Sequence, residues 1–174
     1  MLEHVPPDAI AGLEPLEERA DSLDRDVAAA DTALQQAQRA EALQQDRLEN
    51  ARASVDAEAR LKEIAVERGD VEGGAAADQR REAAEGEVER ARADLERATM
   101  ARIRAEARLD LLEAEQDVVD ARIERDRARA VAQKVDDFDV QPYEKALDAA
   151  AEQRDRAAAH ARDVGAAPID RNAG

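Results

Sequence analysis

Three aspartates stand close together in the last third of the sequence, at Asp136, Asp137 and Asp139. Carboxylates at alternate positions are the ligands that a calcium-binding loop places around its ion. A loop of the EF-hand type starting at Asp137 would need glycine at its sixth position and glutamate at its twelfth. The sequence has Pro142 and Asp148 there, and proline cannot supply the turn. We therefore interpret the aspartates as an acidic linker that favours the start of a following helix.

The other side chains that could do chemistry are few and isolated. His4 and His160 each have one acid within a helical turn's spacing, Asp8 and Asp163, whereas a zinc site needs three or four ligands. The chain has no cysteine. None of its hydroxyl residues lies beside both a base and an orienting acid, as a nucleophilic triad requires. The sequence thus predicts no catalytic residue, no metal and no cofactor, and we expect no enzymatic activity.

A glycine cluster at Gly69, Gly73 and Gly74 could be mistaken for a phosphate-binding loop. No strand precedes it and no Lys-Ser/Thr pair follows it, so the pattern of a phosphate loop is absent. We interpret the cluster as a turn between two helices, with Asp78 as the candidate N-cap of the second helix.

The net charge of the chain limits the kinds of molecule that it is expected to bind. The net charge is −16 and charged residues make up 39% of the chain. An acidic surface disfavours nucleic acid and anionic membranes, and the sequence has no apolar run of membrane-spanning length. The first residues also lack the basic start and apolar stretch of a signal peptide. We expect protein partners, no nucleic acid, no membrane, and a location in the cytoplasm or in a particle assembled there.

Composition favours long helices. Alanine, the residue with the highest helix propensity, makes up about a quarter of the chain, while aromatic residues make up 1%. This predicts an all-α coiled coil rather than a globular core, because aromatic side chains bury the most area each. A low content of large aliphatic residues with high net charge is also typical of disorder without a partner. Helical periodicity argues against full disorder.

Proline and glycine positions divide the chain into elements. Pro15 suits the first turn of a helix because its missing N–H costs nothing there, and neither glycine nor proline follows until Gly69. The pattern predicts helices over residues 15–68, 79–135 and 142–164, within one coiled-coil domain at 15–164. An irregular leader at 1–14 precedes this domain, and a flexible tail at 165–174 follows it.

Apolar residues recur at heptad spacing on both long helices, in two rows offset by four residues. Such rows form the a/d seam of a coiled coil. We expect the interaction or oligomer seam to contain Leu16, Leu23, Val27, Leu34, Leu48, Val55, Val88, Leu95, Leu109, Leu112, Val119 and Ile123.

Polar residues interrupt these rows at Glu41, Gln44, Arg102, Gln116 and Asp126. A buried polar residue can fix the register or partner number of a coiled coil. If the two helices form a hairpin, a Glu41–Arg102 contact follows, and these two residues are the register candidates. The alternative is that these positions face solvent at a discontinuity of the seam.

A secondary stripe of Ile103, Leu111 and Val118 widens the apolar face of the second helix. A two-stranded pair needs only one seam, whereas a wider stripe is typical of a bundle. The stripe therefore predicts a further neighbour, which is either the third helix or another chain.

The two long helices are nearly equal in length and joined by a short glycine-rich segment. This favours a long antiparallel helical hairpin; the alternative straightens the joint and assembles parallel oligomers. Phe138 and Tyr143 flank Pro142 and are expected to pack against each other and pin the third helix, or else to anchor a partner.

These features predict a structural or adaptor coiled-coil protein that self-associates or bridges proteins in a larger assembly. In length, composition and helicity the chain resembles many coiled-coil proteins of bacteria and phages, including scaffolding and other virion structural proteins. That resemblance extends over the whole chain and rests on composition, without a diagnostic motif. The alternative is an acidic regulatory module, a chaperone or inhibitor, that masks a basic protein.

Overall fold

The computed structural model describes residues 13–135 and 137–166, and this part of the chain forms three α-helices. Helix α1 spans Glu14–Glu67, α2 spans Val71–Ala132 and α3 spans Gln141–Asp163. The two long helices pack against each other, which confirms the predicted all-α fold with a short third helix. His4, Asp136, residues 1–12 of the predicted leader and residues 167–174 of the predicted tail lie outside the described residues.

The turn between α1 and α2 is shorter than the sequence predicts. Helix α2 begins at Val71 rather than near Gln79, so Gly73 and Gly74 are helical and Asp78 is not an N-cap. Asp70 caps the helix instead, because its Oδ1 accepts a hydrogen bond from the Gly73 N–H at 2.9 Å. This cap stabilises a first turn that two glycines would weaken by about 1 kcal/mol each. A Cβ at Gly73 would lie 2.2 Å from the Asp70 carboxylate, so glycine permits the close approach.

Helices α1 and α3 end with the same motif. Gly69 and Gly165 both adopt positive φ, at 71° and 68°. After each glycine, the next backbone N–H bonds back across the turn, from Asp70 to the Ala65 carbonyl at 2.9 Å and from Ala166 to the Ala161 carbonyl at 2.8 Å. This is the Schellman arrangement, which satisfies the last carbonyl groups of a helix. A left-handed glycine therefore ends each of these helices.

Contacts divide the chain into two compact units. The two-helix unit is Gln35–Arg102, and it contains the second half of α1 and the first half of α2. The three-helix unit contains the described residues up to Leu34 and from Ile103 onward, including all of α3.

Cross-helix contacts show an antiparallel pairing of α1 and α2 within each unit. In the two-helix unit, Lys62 meets Asp78 at 2.8 Å, whereas Glu41, farther from the turn along α1, meets Arg102 at 2.7 Å. Rising numbers on α1 therefore meet falling numbers on α2. In the three-helix unit, Arg127 contacts Glu17 at 3.1 Å, in agreement with the same direction. The pairing is that of the predicted hairpin rather than of a straightened joint.

Two large buried side chains of the three-helix unit lie at the α1–α2 seam. Leu23 and Leu112 are each 2% exposed and cluster with Ala30, while Val27 and Val119 pack around them. A leucine buried this deeply contributes more to folding than the surrounding alanines, because free energy scales with the apolar area removed from water.

We expect Leu112→Ala to lower the free energy of unfolding by about 2–5 kcal/mol, because the seam cannot collapse fully around the lost side chain. Val135, which is half exposed, provides the control, and Val135→Ala should change it by about 0.5 kcal/mol or less. Urea unfolding followed by circular dichroism measures both. Equal effects of the two substitutions would contradict the buried position of Leu112.

Candidate functional site

Every residue of the predicted interaction seam is buried or half-buried. In the two-helix unit, Leu48 and Val88 belong to a buried cluster with Ala51 and Ala91, against which Val55 and Leu95 pack. In the three-helix unit, Leu109 joins the cluster around Leu23 and Leu112. Of the remaining predicted residues, Ile123 is buried, and Leu16 and Leu34 are half-buried. The heptad rows are therefore used inside the chain, between α1 and α2, rather than left open for another molecule.

A polar contact lies within the seam of the two-helix unit. The Glu41 carboxylate is bound at both oxygens: Arg102 Nε lies 2.7 Å from Oε2, and the Thr99 hydroxyl donates to Oε1 at 2.7 Å. The side chains of Glu41 and Arg102 are 25% and 29% exposed, so water screens the pair less than a surface ion pair. The contact that the sequence predicted is present.

Thr99 was missed by the sequence reading because it lies beside the heptad row, one position after Ala98. The signal available in the sequence was its position flanking the seam, where a hydroxyl can reach across to a polar seam residue of the other helix. Gln44, the second interruption on α1, is half-buried and accepts a hydrogen bond from Arg47 at 3.4 Å. A carboxylate held by two partners can set the register of two helices.

Glu41 and Arg102 should be energetically coupled. In a double-mutant cycle of Glu41→Gln and Arg102→Gln, we expect a coupling energy of about 0.5–2 kcal/mol in the free energy of unfolding. Glu152 and Arg156, an exposed pair within α3, should couple by about 0.5 kcal/mol or less. Zero coupling between Glu41 and Arg102 would rule out a role of this contact in setting the register.

Two further charged residues lie in the seam close to the α1–α2 turn. Glu58 and Lys62 continue the heptad rows of α1 beyond Val55, and both are half-buried. Arg80 Nε lies 2.9 Å from the Glu58 carboxylate, and Asp78 lies 2.8 Å from Lys62. The sequence analysis does not identify these two contacts, because it places the start of α2 too late to provide partners for Glu58 and Lys62.

One member of the secondary stripe on α2, Leu111, lies against α3. Leu111 packs, together with Val164, against a buried cluster of Ala107, Ala161 and Ala166. Arg104 Nε also donates to the Val164 carbonyl at 3.2 Å. Ile103 and Val118, the other members of the stripe, are half-buried. For Leu111 the predicted further neighbour is thus the chain's own third helix, and the alanines that complete this contact were not singled out from the sequence.

Phe138 and Tyr143 stack on each other across the joint between α2 and α3. Their ring centroids are 6.3 Å apart and their planes differ by 18°, and both residues are half-buried. Asp139 Oδ1 accepts a hydrogen bond from the Gln141 N–H at 2.9 Å, which supports the first turn of α3. Arg129 adds an ion pair to Glu144 at 2.7 Å. The aromatic pair therefore takes part in an internal contact that holds the start of α3.

An acidic cluster lies on the surface of the three-helix unit. The pKa of Asp120 is raised above its ordinary value, first by partial burial and then by the negative charges of Asp24, Asp117 and Glu124. Gln116, one of the polar seam residues of α2, donates a hydrogen bond to the Asp24 carboxylate. Because a raised pKa means that the folded chain binds this proton more tightly than the unfolded chain, the Asp120 charge opposes folding at neutral pH.

Neutralising Asp120 should stabilise the fold in a pH-dependent way. We expect Asp120→Asn to raise the thermal unfolding midpoint at neutral pH, where the wild-type carboxylate is ionised. The gain should disappear as the pH falls through the raised pKa and below the usual aspartate range, because the wild-type group is then protonated too. Melting curves recorded at neutral pH and at a pH below the usual aspartate range test this. A gain of the same size in acid would show that charge repulsion is not its cause.

The described residues contain no group of three or more His, Cys, Asp or Glu side chains placed to hold a metal ion. His160 is exposed on α3.

An open groove on the two-helix unit is lined in part by Ser54, Glu87 and Asp94, but the Ser54 hydroxyl donates to the Asn50 carbonyl of its own helix at 3.1 Å. Within residues 13–135 and 137–166, no helix is long and apolar enough to cross a membrane.

Large apolar side chains remain uncovered on the two-helix unit. Leu43, Leu61 and Ile64 are 50%, 47% and 41% exposed, and Val66, Val71 and Met100 are exposed too. Leu43, Leu61 and Ile64 belong to α1 and lie outside its heptad rows. Exposed apolar side chains on one face of a helix mark candidate interaction sites, and these residues are the strongest such candidates in the two-helix unit.

Scans of the chain against models of known protein families, curated proteins and solved structures find no match.

Proposed function

We propose that this chain is a non-enzymatic structural or adaptor coiled-coil protein that self-associates or bridges protein partners in a larger assembly. The observation that carries the proposal is the apolar side chains of the two-helix unit, which remain exposed although the heptad seams are already filled within the chain. Because the heptad seams already form the core of the chain, these exposed side chains are not needed for folding. Exposed apolar side chains of this kind are typical of a protein interface.

A location in the cytoplasm, or in a particle assembled there, is part of the proposal. A scaffolding or other structural component of a phage particle is the specific form that the composition favours. A net charge of −16 keeps such a protein apart from nucleic acid, because phosphates need a basic surface.

The second candidate is an acidic regulatory module that masks a basic protein. The acidic cluster around Asp120 favours this candidate, because a cationic partner would relieve the repulsion among its carboxylates. Binding of this kind would weaken with increasing salt, since exposed charges are screened.

Light scattering after size-exclusion chromatography, over a range of protein concentrations, distinguishes the two candidates. We expect the structural protein to give a mass above that of one chain, because the uncovered apolar side chains leave water on association. A chain that stays monomeric and forms salt-sensitive complexes with a basic test protein would favour the regulatory module. Catalytic turnover of any substrate by the purified chain would overturn both candidates.

A further inference from the structure

Helix α1 carries a second heptad pattern within the two-helix unit, in addition to the one that packs against α2. Its members follow one another at alternating spacings of three and four residues, and all are exposed. We call this set the outer α1 face: Ala40, Leu43, Arg47, Asn50, Ser54, Ala57, Leu61 and Ile64. Residues with this spacing lie along one face of a helix, and the seam of a coiled coil has apolar residues at such positions, as this face has at both ends.

The outer α1 face is apolar at both ends and small or polar in the middle. If a second copy of the same helix lies on it in the antiparallel direction, Leu43 of one copy meets Leu61 of the other, and Ala40 meets Ile64. In the middle, Asn50 meets Ser54, and Arg47 meets the small Ala57. The large apolar residues therefore meet each other, and the bulky Arg47 meets a residue that leaves room for its side chain.

The charges beside this face are self-complementary in the same arrangement. A flanking row on α1, one residue before the outer face at each turn, reads Arg39, Asp46, Ala53, Arg60 and Glu67, seven residues apart and all exposed. In an antiparallel pair of helices such flanking rows lie against each other. About a two-fold axis near Ala53, Arg39 then meets Glu67 and Asp46 meets Arg60, and each pair occurs twice.

A different register of the same antiparallel pair brings like charges together. A shift of the antiparallel pair by one heptad places Arg39 beside Arg60 in one direction, and Asp46 beside Glu67 in the other. Like charges opposed in this way disfavour the wrong register. The row therefore specifies one register of the antiparallel pair.

The four charged residues of this row have no competing partner in the part of the chain that the structure describes. Among the described residues, Arg39, Asp46, Arg60 and Glu67 form no ion pair and no side-chain hydrogen bond. This contrasts with neighbouring charges in the same unit, such as Glu58 with Arg80 at 2.9 Å.

We infer that the outer α1 face binds a second copy of this chain in an antiparallel, two-fold symmetric pair centred near Ala53. The inference rests on the proposed self-association and specifies the surface, the partner and the register. The same patch of each copy contacts the other, which is the commonest way for a dimer to close.

Charge exchange at Asp46 and Arg60 tests the pairing. The variant Asp46→Arg opposes two arginines twice per dimer, and Arg60→Glu opposes two acids twice. We expect each variant alone to weaken the dissociation constant, measured by sedimentation equilibrium, by at least about tenfold. An equimolar mixture of the two variants should recover wild-type affinity, because every opposed pair is again an acid with a base. Circular dichroism should show unchanged helix content.

The possible results distinguish failure of this inference from failure of the proposed self-association. If both single variants dimerise like the wild type, the chain self-associates through another surface, and only this inference fails. If both are weakened but the mixture does not recover, the antiparallel register is wrong. A wild-type chain that is monomeric at all concentrations overturns the inference, and the proposed function then depends on bridging other proteins.

Thiol cross-linking gives a second, independent measurement, since the chain has no cysteine of its own. Ala53→Cys places one thiol beside the two-fold axis in each copy, and a short bismaleimide should join them into a covalent dimer. Ala42 is also exposed on α1, but in this register two Ala42→Cys thiols lie roughly 30 Å apart. Cross-linking of both variants to the same extent, or of neither, would contradict the proposed axis.

Discussion

Most of the buried side chains among the described residues are alanines, and the rest of this structure depends on that constraint. An alanine side chain buries little apolar area, so each turn of the α1–α2 pair contributes little free energy to folding. Leu23 and Leu112 are the largest fully buried side chains of the described residues. The pair compensates through length, because both helices continue over many turns. Few positions therefore carry much of the stability.

The small apolar area of this seam also explains why its charged residues are paired. Glu41, Glu58 and Lys62 interrupt the apolar rows of α1, and each has a partner of opposite charge on α2. A charge that is removed from water without a partner destabilises the fold, and the α1–α2 pair has little stabilising free energy to offset that cost. The charged positions therefore specify where the helices align, while the leucines supply attraction. Helix α3 adds to this attraction by covering Leu111 with the alanine cluster.

Much of this fold follows from local rules that act along one helix. The seam residues, the Glu41–Arg102 contact and the pairing of Phe138 with Tyr143 were predicted because heptad spacing and isolated aromatic residues are visible in the sequence. The predicted start of α2 was wrong because the Asp70 cap and its effect on Gly73 depend on side-chain geometry. The contact of Ala107 with α3 was missed because a quarter of the chain is alanine, so no single alanine stands out. The outer α1 face was overlooked because its two leucines and one isoleucine are diluted by polar neighbours.

The stacked rings at the joint of α2 and α3 have a spectroscopic consequence. Tyr143 is the chain's single tyrosine, and the chain has no tryptophan. Ultraviolet emission of the protein thus arises from one ring, which lies against Phe138 at the first turn of α3. The intensity of that emission reports on the surroundings of Tyr143 at the start of α3, because no other tyrosine or tryptophan adds to the signal. The molecule carries its own optical probe at the one joint where its third helix begins.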